Sequence, residues 1–283
     1  MVRLSWLALA VLATLAAGPE LFDYRRDAPV DLRETQPEVR VRDVTFASVS
    51  GGRTSAFLVE PKRPGGAAVL WVHWYEGGSP TSNRTQFLGD AIALGGDGVV
   101  SLLIETMWSP ARWFLDRNPA DDFSSSVRQV KELRRALDVL MAQRGVDRRR
   151  VVYAGHDFGA MYGVLMASVD PRPAAWVLMA GTPLFSDWFL LAPQRKGAER
   201  QKVIDDLAPL GPLQHTARIS PAPVLFQFAR KDRFVPEEQA KRFHDAAGEP
   251  KKVLWYDGGH ELSEQASKDR LAWLREQLKL SSR

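Results

Sequence analysis

The sequence of 283 residues predicts an α/β fold, a mostly parallel central sheet flanked by helices, and two patterns predict it. Short apolar runs at 67–73, 99–104, 151–154, 174–179 and 224–228 lack the in-and-out alternation of a half-exposed strand, so they read as parallel strands covered on both faces. Segments with apolar residues at three- and four-residue spacing stand between them, the rhythm of strand, crossover helix and next strand. A chain of this length can bury one large core, and a single domain is expected.

In chain order, Arg3 followed by an apolar run from Leu4 to Ala17 and small residues up to Gly18 has the form of a secretory signal peptide. Residues 1–18 are therefore expected to be removed near Ala16 to Gly18. The mature protein would be periplasmic or secreted, with no stable membrane insertion; an uncleaved membrane-tethering helix is the alternative. Residues 19–37, rich in charge and Pro, read as an extended arm over the domain, which occupies 38–283. Alternation over 39–46, the pair Gly51-Gly52 and a return over 55–59 predict an opening antiparallel hairpin.

A turn at 61–66 feeds the first buried strand, and a helix is expected over 83–94, stopped by Gly95-Gly96-Asp97-Gly98. The loop at 105–121 leaves the carboxyl end of a central strand, where open α/β sheets bind ligands. Its Trp108, Arg112, Trp113 and Phe114 either wall a substrate pocket or pack the loop onto the body. Val127, Val130, Leu133, Leu137 and Leu140 place a long amphipathic helix over 122–143. Arg148-Arg149-Arg150 reads as a solvated loop before the next strand. A short insertion at about 181–222 carries helical patches at 186–191 and 199–207, and helices over 237–247 and 262–278 close the chain.

Composition narrows the function classes. A formal charge of +4 with no second basic cluster in the sequence sets nucleic acid aside. The absence of Cys removes disulfides, thiol chemistry and Cys-ligated metals. No ligand spacing suggests a metal site or a cofactor; a small-molecule substrate is the expected partner, and no sequence feature specifies an oligomeric state.

The chemistry gathers at Gly155-His156-Asp157-Phe158-Gly159, a buried strand breaking into a helix. Gly155 and Gly159 carry no Cβ, so the chain can turn tightly enough to hold the middle residue exposed and strained. This stretch resembles the nucleophile elbow of the α/β-hydrolase superfamily, in the Asp form of epoxide hydrolases and haloalkane dehalogenases. Asp232, in Lys231-Asp232-Arg233-Phe234-Val235-Pro236, and His260, in Asp257-Gly258-Gly259-His260, follow in the family's order. The body, with its small cap insertion, looks more like dienelactone hydrolases and related esterases.

The resemblance implies a catalytic set of Asp157, Asp232 and His260, with the backbone N–H groups of Tyr75 and Phe158 as an oxyanion hole. His73-Trp74-Tyr75 carries Trp74 where the family usually has Gly. It also implies a pocket to which Trp74, Trp108, Trp113 and Trp188 contribute. Tyr75 or Tyr162 would have to stand in for the cap tyrosines that activate an epoxide. Asp157, already ionised at neutral pH, would attack an electrophilic carbon and form an ester, which water activated by His260 then hydrolyses. An esterase or lactonase in which Asp157 attacks acyl carbon or acts as a base, and a non-catalytic binding protein, are the other readings. His73 and His156 are expected to be structural, and His215 and His244 solvated.

Overall fold

A computed structural model describes residues 18–34 and 41–280. The expected signal peptide lies outside these apart from Gly18, as do residues 35–37 of the arm and the start of the first predicted strand. Among the described residues nine strands form one sheet: β1 (Arg33–Glu34), β2 (Val41–Ala47), β3 (Arg53–Val59), β4 (Gly66–Val72), β5 (Val100–Ile104), β6 (Val146–His156), β7 (Ala175–Met179), β8 (Val224–Ala229) and β9 (Lys251–Tyr256). Their order is β1-β2-β3-β5-β4-β6-β7-β8-β9. The hairpin β2-β3 adds antiparallel to β5, and β4 through β9 run parallel to one another.

The parallel strands are apolar throughout because both faces are covered. Ala68, Leu70 and Val72 of β4 meet one cluster with α3 (Asp122–Met141) and α4 (Phe158–Ala167). Ala67, Val69 and Trp71 meet the other, with α1 (Leu88–Gly96) and α9 (Glu264–Gln277). The parallel direction brings the loops after β4, β6, β8 and β9 to one edge of the sheet, so Tyr75, Asp157, Asp232 and His260 share that edge.

Three local differences from the sequence reading have physical causes. The helix expected over 83–94 begins at Leu88, since Ser82 and Asn83 hold φ of 52° and 62° in a turn where Asn83 Nδ2 donates to Glu76 O. The arm is more than an extended cover. Pro19–Phe22 is a turn of 3₁₀-helix that buries Phe22 in the core, Phe22 O accepts from the buried Arg134, and β1 extends the sheet against β2. Arg148-Arg149-Arg150 lies inside β6; Arg150 Nη1 donates to Gly65 O at 2.7 Å and its Nε to Leu278 O at 3.2 Å, anchoring the end of α9.

The insertion between β7 and β8 is helical: α5 (Ser186–Phe189), α6 (Gly197–Leu207), α7 (Pro212–His215) and short 3₁₀ turns; α2 (Trp113–Asp116) lies in the loop after β5, and α8 (Glu237–Asp245) precedes β9. No helix among the described residues is long and apolar enough to cross a membrane.

Candidate active site

β6 ends at His156 and α4 begins at Phe158, so a single residue turns the chain. Asp157 holds φ 55° and ψ −117°, a conformation that costs a non-glycine residue about 1–3 kcal/mol. The surroundings impose it. A Cβ on Gly155 would lie 2.3 Å from Gly159 O, and one on Gly159 would lie 2.3 Å from Val72 O. Only glycines let helix and strand cross this closely.

The Asp157 side chain projects to the sheet edge and is 1% exposed. Its Oδ2 accepts the Tyr75 N–H at 3.2 Å and lies 3.8 Å from His260 Nε2, an ion-pair separation. His260 Nδ1 is 2.8 Å from Asp232 Oδ2, while Asp232 Oδ1 accepts the N–H groups of Phe234 and Val235 at 2.8 and 3.1 Å. With Asp232 fixed as an acceptor, Nδ1 must carry the proton and Nε2 faces Asp157.

Burial pushes the Asp157 carboxyl up from its ordinary range, opposed by His260 and by the N–H groups of Tyr75 and Phe158. At His260 burial works against the imidazolium, but the interactions with Asp157 and Asp232 outweigh it and raise the group to about 9. At neutral pH His260 therefore rests as imidazolium facing Asp157.

No protein-family model matches the chain, and no curated protein sequence matches it. Solved structures do. Acetyl xylan esterase 1 from Thermoanaerobacterium sp. superposes with a TM-score of 0.72 at 17% identity, covering 91% of both chains. An acetyl xylan esterase from Paenibacillus sp. gives 0.69 at 19% identity, again over 91% of each. The 2,6-dihydroxy-pseudo-oxynicotine hydrolase gives 0.65 at 16% identity over 84% of this chain and 68% of that one. The chain has the α/β-hydrolase fold.

In the terms of that fold, Asp157 occupies the elbow, and the expected site residues separate into those brought to it and those held away. Trp74 stacks on His260, ring centroids 5.8 Å apart at 8°, and Trp188 of α5 lies 5.3 Å from the same ring. Trp113 sits one ring further out, packed on Phe158 and Phe189. Trp108 does not reach the site: it is fully buried, stacked on Tyr162 behind Phe158, with Nε1 donating to His73 O. It packs the loop onto the body and walls no pocket.

The two tyrosines do not offer hydroxyls to Asp157 either. Tyr75 donates to Ala111 O, and Tyr162 is hydrogen-bonded to Ser126 in the core, where burial raises its pKa far above the ordinary value.

His73 has Nδ1 at 2.5 Å from Trp74 O and Nε2 near the Ser109 and Thr106 hydroxyls, and burial lowers its pKa to about 4, so it braces the loop as a neutral ring. His215 is fully buried, with Nε2 2.9 Å from Pro209 O, because α7 folds it under the insertion instead of leaving it solvated. His244 is half-buried against the Phe226 ring.

Sequence reasoning missed three contributors. Phe234 packs edge-on to His260 at 5.2 Å, and its place two residues after Asp232 was the available signal. Arg117 donates from Nη2 to Phe189 O at 2.7 Å and to Ala192 O at 2.6 Å, latching the insertion over the site. Gln86 joins the site through His156. Three buried polar atoms here lack a hydrogen-bond partner among the described residues: Asp157 Oδ1, His260 Nε2 and Trp188 Nε1. No cluster of potential metal ligands occurs among the described residues.

Proposed function

We propose that the chain is a hydrolase in which Asp157 forms a covalent ester with a small, uncharged electrophile and His260, oriented by Asp232, directs the hydrolysis of that ester. The observation that carries this reading is that Asp157 Oδ2 itself receives the Tyr75 N–H. The oxyanion donors thus serve the carboxyl group of Asp157, where negative charge develops when water attacks an aspartyl ester.

An Asp157 oxygen attacks the substrate carbon, and the bond from that carbon to the leaving atom breaks with its electron pair. Water then adds to Asp157 Cγ as His260 Nε2 takes its proton, and the tetrahedral adduct collapses to release an alcohol and restore the carboxylate.

The walls select the substrate. Aromatic rings surround the pair, and the Trp188 indole N–H is a buried donor available to a leaving anion. With both tyrosine hydroxyls engaged elsewhere, a group that departs as a stable anion, such as halide, fits better than an epoxide oxygen that needs protonation.

A second reading, attack on acyl carbon through a mixed anhydride, has the support of neighbours described as esterases. Intact mass spectrometry of His260→Ala after exposure to 1-bromobutane, styrene oxide or p-nitrophenyl acetate distinguishes them. A butyl adduct mapped to Asp157 supports the ester mechanism, an acetyl adduct there supports the acyl reading, and folded protein without any adduct overturns both.

A further inference from the structure

We propose that Gln86 and His156 are positioning residues, a hydrogen-bonded strut that sets the spacing between the loop carrying the Tyr75 donor and the loop carrying His260. The inference rests on the reading of His260 as the base that hydrolyses the Asp157 ester. Three bonds make the strut. The Trp74 N–H donates to Gln86 Oε1 at 2.8 Å, Gln86 Nε2 lies 2.6 Å from His156 Nδ1, and His156 Nε2 lies 2.9 Å from His260 O.

Both ends are main-chain groups with no choice of role, and they force every atom between them. A backbone N–H can only donate, so Gln86 presents its oxygen to Trp74 and its NH₂ to the ring. His156 Nδ1 must then accept, leaving the ring proton on Nε2, where a carbonyl oxygen is waiting. His156 is thereby a neutral ring with one permitted tautomer. Its surroundings agree: it is 1% exposed and packed by the Trp74, Phe87 and His260 rings. Burial, with the charges of His260 and Arg270, keeps it from taking a second proton.

The consequence is geometric. Asp157 follows His156 directly, Tyr75 follows Trp74 directly, and the third end holds the His260 main chain. Nucleophile, oxyanion donor and base are therefore tied through one ring. Where reacting atoms are set by three separate loops, a displacement near 1 Å can cost about 100-fold in rate.

The test uses the full chain in two variants. Gln86→Met fills the space without donor or acceptor. Gln86→Glu still accepts from Trp74 but offers a second acceptor to Nδ1, so His156 must gain a proton to keep holding His260 O. Nitrogen-15 spectra of the imidazoles should show wild-type His156 as the neutral Nε2–H form at neutral pH, and as imidazolium in Gln86→Glu. Rapid-quench mass spectrometry with 1-bromobutane should show Gln86→Met hydrolysing the Asp157 ester roughly 10- to 100-fold more slowly than wild type, with Gln86→Glu restoring most of the loss. A residue that merely fills space would leave His156 neutral in Gln86→Glu. An Nδ1–H tautomer in the wild type, or unchanged ester hydrolysis in Gln86→Met, overturns the proposal. The nitrogen spectra need no turnover, so they would still test the strut if the ester mechanism failed.

Discussion

His260 at about 9 poses a problem that the proposed covalent mechanism would resolve. At neutral pH the resting imidazolium cannot take a proton from water, so the hydrolytic step would stall if nothing changed. Esterification removes the charge of Asp157, 3.8 Å from Nε2. At an effective dielectric constant of about 20, one charge at that distance is worth about 4 kcal/mol, or roughly three factors of ten in the protonation equilibrium. Losing it brings His260 from about 9 back to roughly 6. In the proposed mechanism the first step would thus switch on the base for the second.

The assay loads wild-type protein with 1-bromobutane in rapid-quench mode and follows the aspartyl ester by intact mass at a series of pH values. Its decay should accelerate with rising pH and level off with a midpoint near 6, well below the titration of resting His260. A midpoint that stays near 9 refutes the coupling between the charge of Asp157 and the basicity of His260.

Four further outcomes follow from the same geometry. Asp232→Asn should form the ester normally and hydrolyse it roughly a thousandfold more slowly, because an amide can stabilise the wrong imidazole tautomer; single-turnover kinetics separate the steps. Trp188→Phe keeps the ring and deletes the unpaired N–H, so turnover of 1-bromobutane should drop about tenfold to a hundredfold. Its thermal midpoint should hold or rise, since an unpartnered buried donor costs about 1–3 kcal/mol; lower stability with unchanged turnover would refute the role. Gly159→Ala drives a Cβ to 2.3 Å from Val72 O, and urea titration should show a loss of about 3 kcal/mol, with a loss under about 0.5 kcal/mol contradicting the crossing. Finally, the raised His260 contributes stability that is fully present below its ordinary value of 6.5 and lost as pH rises through about 9. Chemical denaturation should show wild type losing about 3 kcal/mol more than His260→Gln across that window; parallel profiles would contradict the raised value.

The parallel sheet was legible because its strands are apolar on both faces, a pattern that survives without knowledge of their partners. The elbow was legible because the crossing of β6 and α4 demands two glycines at fixed spacing, and no other residue type meets Val72 O at that distance. Asp232 and His260 could be located by their position after apolar strands. The rings could not be assigned from sequence, because Trp108 and Trp74 lie in equally aromatic loops and only packing decides that one faces Tyr162 and the other His260. The same holds for Phe22 and Arg134, whose pairing joins positions more than a hundred residues apart.

Two departures from the usual pattern of the superfamily that the elbow resembles can be connected. A serine elbow needs its base from the first step and a hole shaped for the substrate carbonyl, whereas a carboxylate elbow needs the hole to hold its own oxygen and the base to wait. Trp74 in place of glycine suits the second arrangement. Its main chain is tied to Gln86, its ring covers His260, and its neighbour Tyr75 is thereby aimed at Asp157 Oδ2. On the proposed mechanism Asp157 and Trp74 are parts of one design, and replacing Asp157 by Ser alone would leave a nucleophile whose oxyanion donors and stacked base are arranged for a different intermediate.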